Sequence, residues 1–304
     1  MEIKITHRDK LLFPDTAITK GNLVDYYERI AGHMLPFLQD RPLTLHRFPS
    51  GIIKDGFFQK NASAYFPNWI KTARVKKKNG WVNHVICNTV DTLIYLVNQG
   101  TITFHITLSR MNKLEFPDKL IFDLDPPKNN FYDVVKGART LRELLENRLG
   151  MTTFLMTTGS KGLHVVIPLN CTENFYEVRD FAKKAGTYIC LNDPGKYTIA
   201  MPKNQRKGRL LLDYMRNAYA QTGVCPFSVR AIEGAPVATP LHWDELNSSV
   251  LHAQTYTIHN VFKRLGEIED PWKHFEKHGK SIANAKTKLE ELLEEQTQAE
   301  LNQR

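Results

Sequence analysis

The sequence lacks the long apolar run that a membrane helix requires. No uninterrupted apolar segment approaches the ~20 residues of a spanning helix, and the N-terminal stretch MEIKITHRDK holds no apolar signal core. Cysteine is scarce, with four scattered residues and no Cys-x-x-Cys pair. Such cysteines suit reduced structural thiols and disfavour a cysteine zinc site. We therefore expect a cytoplasmic protein with no membrane partner.

Acidic residues are the minority among the charged side chains. The 304 residues include 41 Lys and Arg against 32 Asp and Glu, for a formal net charge of +9, which favours an anionic partner such as nucleic acid. Hydrophobic residues make up 42% of the chain, as in an ordinary globular protein that can bury a substantial core. The basic run ARVKKK (73–78) is typical either of a solvated face or of a nucleic-acid patch.

Hydrophobic periodicity predicts alternating helices and strands. Apolar spacing of three and four residues predicts amphipathic helices over 20–38 and 131–149. Extended, β-branched or aromatic stretches predict strands at 82–87, 101–107, 119–124, 153–157, 163–169, 209–214 and 227–232. Strands followed by helices indicate α/β or α+β layers. The strand at 119–124, the helix at 131–149 and the strand at 153–157 are long enough together for a β-α-β crossover.

The stretch IFDLDPP places two carboxylates one residue apart at a strand end. On an alternating strand Asp123 and Asp125 share one face, while Phe122 and Leu124 anchor the other face in a core. The two prolines that follow end the ladder because neither can donate a backbone hydrogen bond. Close carboxylates repel each other unless a cation lies between them, so a hard divalent ion is one interpretation. A strand running into a turn is the other.

Two further stretches carry polar groups beside predicted strands. In TTGSKGLHVVIPL (157–169), glycines surround Ser160 and Lys161, so backbone amides, a hydroxyl and a lysine could hold phosphate oxygens. A hairpin turn explains the same letters, and His164 is either a satisfied half-buried histidine or a site residue. In KGRLLLDYMRN (207–217), Asp213 either ends a strand or supplies a third metal ligand from a neighbouring strand.

Together these stretches resemble the archaeo-eukaryotic primase superfamily, and within it the polymerase domain of the prokaryotic non-homologous end-joining ligase D. FDLDP, TTGSKGLHVVIPL and LLLDYMRN occur in the family's order and at its distances. The blocks LHRFPSGI…GFFQKNA (45–62), FHITLSR (104–110) and QTGVCPFSVRAIEGAPVATPL (221–241) are similar to it as well, so the resemblance covers roughly residues 1–265. It implies an α+β (α/β) primase-polymerase fold with central mixed or antiparallel β-sheets flanked by helices. We expect one catalytic domain over 1–280 and a charged C-terminal helix or tail over 281–304.

The resemblance implies a template-directed nucleotidyltransferase. Asp123, Asp125 and Asp213 would hold two divalent ions, Mn²⁺ or Mg²⁺, one lowering the pKa of a primer 3′-hydroxyl and the other neutralising the triphosphate. The family prefers ribonucleotides, which requires a site able to bond a 2′-hydroxyl. The residues that would bind the incoming NTP or dNTP are His105, Thr158, Ser160, Lys161, Gly162, His164, Arg216 and Arg230.

The resemblance also implies contacts to broken or gapped DNA. Lys10 and Lys20 would capture a downstream 5′-phosphate, Phe57 and Phe58 would stack on bases, and Arg47 and Arg206 would contact the DNA backbone. Without the family, two adjacent phenylalanines are more often core residues. The expected partners are DNA gaps, 3′ overhangs and double-strand-break ends, together with Ku and a ligase. The protein would be a monomer that pairs across DNA ends.

The chain departs from the family in two places and leaves two other function classes open. His7 stands where relatives carry Asn or a similar small polar residue, and FHITLSR replaces a commoner His-Pro-Trp sequence. No ligase lysine motif or nuclease module occurs, so the chain is either a stand-alone polymerase or a domain of a longer protein. A metal-dependent nucleotide-sugar glycosyltransferase would explain Asp-x-Asp but not Asp213. A non-catalytic DNA-end-binding module would explain the charge but not three carboxylates.

Overall fold

The computed structural model describes residues 3–127 and 130–302. Residues 1 and 2 of the expected catalytic domain and residues 303 and 304 of the expected C-terminal helix or tail lie outside the described residues. The α-helices are α1 (Lys20–Leu38), α2 (Val90–Asn98), α3 (Phe131–Arg142), α4 (Phe175–Asn192), α5 (Lys203–Arg206), α6 (Val261–Glu267) and α7 (Ala283–Asn302). The strands are β1 (Leu11–Phe13), β2 (Ile18–Thr19), β3 (Leu43–Arg47), β4 (Phe57–Gln59), β5 (Thr72–Lys77), β6 (Gly80–Val85), β7 (Thr101–Thr107), β8 (Lys119–Asp125), β9 (Phe154–Thr157), β10 (Leu163–Pro168), β11 (Tyr197–Thr198), β12 (Leu210–Asp213), β13 (Thr222–Val224) and β14 (Pro240–Leu241).

A six-stranded mixed sheet carries the carboxylate motif. Its order is β11-β12-β8-β10-β9-β14, and its pairs are antiparallel except β11 with β12. Since β10 is antiparallel to both β8 and β9, those two strands run in the same direction with β10 between them. The predicted crossover is therefore present in split form. Its helix α3 continues into a π-helical turn over Glu143–Arg148, which confirms the helix predicted at 131–149.

The two faces of β8 differ as the alternation predicts. Phe122 and Leu124 are fully buried in a core with residues of α3 and α4, including Val134 and Phe181. Ile121 lies on the opposite face, in a smaller core, and Asp123 shares that face. Apolar packing on one side thus fixes the register that leaves the two aspartates on the other.

A four-stranded antiparallel sheet packs against the second large core. Its order is β13-β7-β3-β4, and α1 and α2 bury Leu23, Ile30 and Leu93 in the core that also holds Phe104. The Tyr27 hydroxyl donates to the Ile102 carbonyl at 2.6 Å and accepts from the Val229 amide at 2.9 Å. Central mixed and antiparallel sheets flanked by helices confirm the expected fold class.

Two strand predictions were wrong in whole or part. The stretch 227–232 forms no strand: Phe227 has a left-handed φ of +65°, and only Val229 makes an isolated bridge, to Val237. The positive φ interrupts the extended run that its apolar residues suggested. The strand predicted at 82–87 begins two residues earlier and ends at Val85, in a hairpin with β5 that contains the basic run 73–78.

The C-terminal segment forms helix α7, with Ala285 and Leu289 buried in the core of the six-stranded sheet. The division into a catalytic domain over 1–280 and a helix or tail over 281–304 stays a prediction. Over the described residues, no helix combines the length and the apolarity needed to cross a bilayer.

Candidate active site

A polar cavity of about 140 Å³ lies where the two sheets face each other. Strands β8 and β10 supply one wall, and β7 and β13 supply the other. The cavity is lined by His105, Asp123, Asp125, Thr158, Ser160, His164, Arg216, Thr222, Gly223, Val224 and Arg230. Residues predicted from three separated motifs therefore share one site.

Strand register places the three carboxylates side by side. Asp213 on β12 is the cross-strand partner of Asp123 on β8, and Asp125 lies two residues further along the same face. Burial raises the pKa values of Asp125 and Asp213, and repulsion from Asp123 raises them further. Burial opposes ionisation of Asp123 too, but His164 and Arg216 lower its pKa to about 2. The site concentrates negative charge that a cation would stabilise.

The donor chemistry fits a hard divalent ion, because carboxylate oxygens are the ligands that Mg²⁺ and Mn²⁺ prefer. The side chains do not yet converge: over residues 3–127 and 130–302, no group of three or more His, Cys, Asp or Glu side chains has metal-binding geometry. Both oxygens of Asp123 already have partners, since His164 Nε2 lies 3.4 Å from its Oδ1 and Arg216 Nε lies 3.4 Å from its Oδ2.

The Gly-Ser-Lys-Gly stretch is the hairpin turn between β9 and β10, as one interpretation predicted. The Thr158 hydroxyl accepts from the amides of Ser160 at 3.3 Å and Gly162 at 3.2 Å, which shapes the turn. A Cβ on Gly162 would lie 1.9 Å from the Leu124 carbonyl oxygen. Only glycine therefore allows the hairpin to approach β8 this closely. The next residue towards the N-terminus, Lys161, is exposed beside the cavity.

Two side chains outside the hairpin hold it in place. Arg230 donates from Nη1 to the Thr158 carbonyl at 2.9 Å. Gln254 donates from Nε2 to the Ser160 carbonyl at 2.8 Å. The hairpin is thus connected to the segment on the other side of the cavity.

Two histidines present unpaired nitrogens in the site. His164 is the register partner of Asp123, and His105 extends from β7 in the other sheet. Nδ1 of each ring is buried and, within the part of the chain that the structure describes, has no hydrogen-bond partner. Burial and the charge of Arg230 hold the pKa of His105 well below its usual value, so the ring is neutral. Unpaired buried nitrogens in a polar cavity indicate a polar ligand.

Both phenylalanines of the Phe-Phe pair are on the surface. Phe57 is 47% exposed and Phe58 is 61% exposed, so the interpretation of the pair as core residues was wrong. The Phe58 ring stacks on His46 with centroids 4.0 Å apart, and it meets the edge of His105 at 5.7 Å. Phe58 therefore forms an aromatic rim next to the cavity.

Arg47, predicted to contact DNA, is buried under this rim. Its guanidinium donates to Gln59, Tyr65 and the Gln99 carbonyl and lies 5.4 Å from the Phe57 ring centroid. The geometry makes Arg47 a support for the Phe57 ring. A direct DNA contact by Arg47 stays a prediction.

The other predicted DNA residues occupy two places. Lys10 and Lys20 lie together: the Lys20 amide donates to the Lys10 carbonyl, and burial and the charge of Lys10 lower the Lys20 pKa. Lys20 begins α1, whose amides add positive potential there. Arg206 ends α5, and its charge lowers the pKa values of both Asp125 and Asp213.

Sequence reasoning missed several contributors to the site. Gly223 brings the sheets together, since a Cβ there would lie 3.1 Å from Ile121 Cδ1. Asn217 bonds the backbone amide and carbonyl of Ile121, which fixes the turn that carries Arg216. Asn217 belongs to the DYMRN motif, so the sequence could have pointed to it. The sequence gives no sign of the roles of His46 and Gln254, because the residues that they contact are distant in sequence.

The fold and this site define a primase-polymerase type of nucleotidyltransferase. Residues 19–272 match the family model described as LigD, primase-polymerase domain, and the chain belongs to that family. The structure is similar to the polymerase domain from Mycobacterium tuberculosis ligase D in complex with DNA, with a TM-score of 0.85 and 28% identity over 91% of this chain and 98% of that one.

Curated relatives include longer proteins. The bifunctional non-homologous end joining protein LigD of Bacillus subtilis (strain 168) is 32% identical over 276 residues, which are 90% of this chain and 44% of that protein. The multifunctional LigD of Mycolicibacterium smegmatis is 30% identical over 88% of this chain and 35% of that protein. The chain thus spans less than half the length of these two relatives.

Proposed function

We propose that this chain is a template-directed polymerase that fills gaps and extends 3′ ends during DNA double-strand break repair by non-homologous end joining. One observation carries the proposal: three carboxylates lie together on adjacent strands, and two of them, Asp123 and Asp125, line a cavity that also holds two unpaired imidazole nitrogens and is bordered by a glycine-bounded hairpin. Neither alternative accounts for this set. The glycosyltransferase interpretation gives no role to Asp213 beside Asp123. The binding-module interpretation does not explain carboxylates, because they repel DNA.

Asp123, Asp125 and Asp213 would hold two Mn²⁺ or Mg²⁺ ions. Such ions, when bound, would lower the pKa of a primer 3′-hydroxyl and neutralise the charge of the triphosphate. The protein's own residues orient the reactants. The hairpin residues Ser160 and Lys161 would bind phosphate oxygens. Arg216 would leave Asp123 and bind the nucleotide when Asp123 holds a metal ion.

His105 and His164 would position the incoming nucleotide through their free Nδ1 atoms. A ring that stays neutral, as the lowered pKa of His105 requires, can act as a hydrogen-bond donor or acceptor without adding charge. This property suits recognition of a sugar hydroxyl, and it supports the proposed preference for ribonucleotides. Phe58, directly beside His105, would stack on the base.

The Lys10 and Lys20 pair would bind the 5′-phosphate at the far side of a gap. Lys20 donates from Nζ to the Thr6 hydroxyl at 3.2 Å, which leaves it further donors. Two ammonium groups near a helix N-terminus suit a phosphate dianion. The natural substrates would then be gapped DNA, 3′ overhangs and broken ends that carry this phosphate, with Ku and a ligase as partners and two monomers pairing across the ends.

Single-nucleotide incorporation tests this proposal. The assay uses gapped DNA with and without a downstream 5′-phosphate, and it supplies NTPs or dNTPs with Mn²⁺ or Mg²⁺. We expect template-directed addition that the phosphate stimulates and that Asp125→Asn abolishes. Asp180→Asn, on the surface of α4, is the matched control and should retain full activity. Tight DNA binding without incorporation by the wild type would instead establish a binding module.

A further inference from the structure

Another cavity, lined by both aromatic and charged side chains, lies at the other end of β8. It has a volume of about 370 Å³ and is lined by one face of α1, by the segment 270–277, and by Arg41, Arg110 and Lys119. We call it the basic cavity. Lys119 is the first residue of β8, and Asp123, the nearest residue of β8 that lines the candidate active site, is four residues further along, so at about 3.3 Å per residue these two lining residues are about 13 Å apart. The basic cavity is distinct from the candidate active site.

The interior of the basic cavity holds more positive than negative charge. Arg41 is 2% exposed and Lys119 is 3% exposed, and Arg110 is mostly buried beside them. Their shared interior counter-charge is Asp118, whose two oxygens accept from Arg41 and Arg110. Glu276 also pairs with Arg110, but its side chain is 73% exposed. Asp270 lines the cavity as well, but like Glu276 it is exposed, so three interior cations face one interior carboxylate.

Lys119 is the cation whose hydrogen-bond donors are unused. Arg41 donates to Asp118 and to the carbonyls of Phe37 and Thr107. The Lys119 ammonium lies 3.8 Å from Asp118 Oδ1, which is beyond hydrogen-bond distance. None of the described residues accepts a hydrogen bond from it. Its ion pair with Asp118 and its position 5.8 Å from the centre of the Phe275 ring offset part of the cost of burial, but its hydrogen-bond donors still lack an acceptor.

We propose that the basic cavity is a second anion site that binds a phosphate dianion, either as inorganic phosphate or as the phosphate monoester of a small molecule. A phosphate carries about two negative charges near neutral pH, which match the excess of two interior cations. Its tetrahedral oxygens can accept from Lys119 and from the remaining N–H groups of Arg110. The aromatic walls formed by Phe37, Trp272 and Phe275 leave room for an apolar group attached to the phosphate. A carboxylate would balance only one of the two charges.

Trp272 provides a local measurement, because it lines the basic cavity. The full chain is labelled with 5-fluorotryptophan, and Trp272→Phe identifies the Trp272 signal among the four tryptophans. At constant ionic strength we expect inorganic phosphate to shift that ¹⁹F signal saturably. Lys119→Met should weaken the apparent affinity at least about tenfold, because it removes a charged hydrogen-bond donor. Lys78→Met, on the exposed basic hairpin, should leave the affinity unchanged.

Two further titrations distinguish inorganic phosphate from a phosphate monoester as the bound anion. A nucleoside monophosphate that binds more tightly than inorganic phosphate identifies a phosphate monoester as the ligand, and equal affinity identifies free phosphate. Should Lys119→Met fail to fold, Arg110→Gln provides the second variant and should also weaken binding. An unsaturable Trp272 response in the wild type, an unchanged affinity in the variants, or equal binding of acetate would overturn the proposal.

Discussion

Asp213 lies directly across the β12–β8 ladder from Asp123, although 90 residues separate them in sequence. Two carboxylates in adjacent cross-strand positions are unfavourable unless something positive lies near them. Here Arg216 and His164 contact Asp123, and both Asp125 and Asp213 have raised pKa values. The sheet therefore holds three carboxylates close together, and a bound cation would reduce the repulsion between them.

Asp213→Asn should separate stability from activity. We expect nucleotide incorporation to fall by about 10²–10³-fold, the typical cost of removing one electrostatic contact to transition-state charge. The free energy of unfolding without metal should rise slightly, because one repulsive charge is removed from beside Asp123. Incorporation assays and urea denaturation without divalent ions measure the two effects. A large loss of stability would show that Asp213 has a structural role instead.

Gly162→Ala should disturb the hairpin and the site together. Its Cβ would lie 1.9 Å from the Leu124 carbonyl, so the hairpin must move away from β8. We expect a loss of about 1–3 kcal/mol in the free energy of unfolding, as for other overpacked positions, and weaker nucleotide binding. Gly266→Ala in α6, where a Cβ meets nothing within 4 Å, is the control and should be neutral or stabilising. Equal behaviour of both variants would show that β8 adjusts without cost.

The local parts of this fold and site could be predicted from the sequence. Helix α1 and strand β7 have the predicted boundaries, because apolar spacing and β-branched residues act over a few residues. A position of Asp213 on a strand next to that of Asp123 was one of two interpretations, and the β12–β8 register has this arrangement; its role as a metal ligand stays a prediction. The boundaries of α1 and β7 follow from periodicity, which each segment displays by itself, whereas the adjacency of β12 and β8 does not.

Features that depend on tertiary contacts could not be predicted. The left-handed φ of Phe227 ends an otherwise plausible strand, and nothing in FSVRAI signals it. Stacking of His46 on Phe58 needs the register of β3 with β4, which two short strands do not reveal. Burial of Arg47 beneath the aromatic rim likewise depends on Gln59 and Gln99 from separate elements.

Phe58→Ala should weaken DNA binding with little effect on stability. The ring is mostly exposed, so its truncation removes little buried area, but it would remove a stacking contact worth about 1–3 kcal/mol per base. Fluorescence anisotropy with gapped DNA measures the affinity, and thermal unfolding checks the fold. Tyr176→Ala, an exposed aromatic on α4, is the control and should bind normally. A normal affinity combined with a lower Tm would assign Phe58 a purely structural role.

Buried histidines should make the protein less stable as pH falls from 7.5 to 5.5. Burial lowers the pKa of His84, His46 and His105, so these rings take up protons less readily in the fold than in the unfolded chain. The unfolded state then binds more protons below about pH 6.5, and stability decreases with falling pH. His84 is the clearest test: it is buried, its Nδ1 lies 2.8 Å from the Leu43 carbonyl oxygen, and it is remote from the carboxylates. His84→Gln should reduce the slope of unfolding free energy against pH by up to about 1.4 kcal/mol per unit. Because the variant is compared with the wild type, contributions from the carboxylates cancel, and an unaltered slope in His84→Gln would mean that the His84 ring is protonated equally in both states.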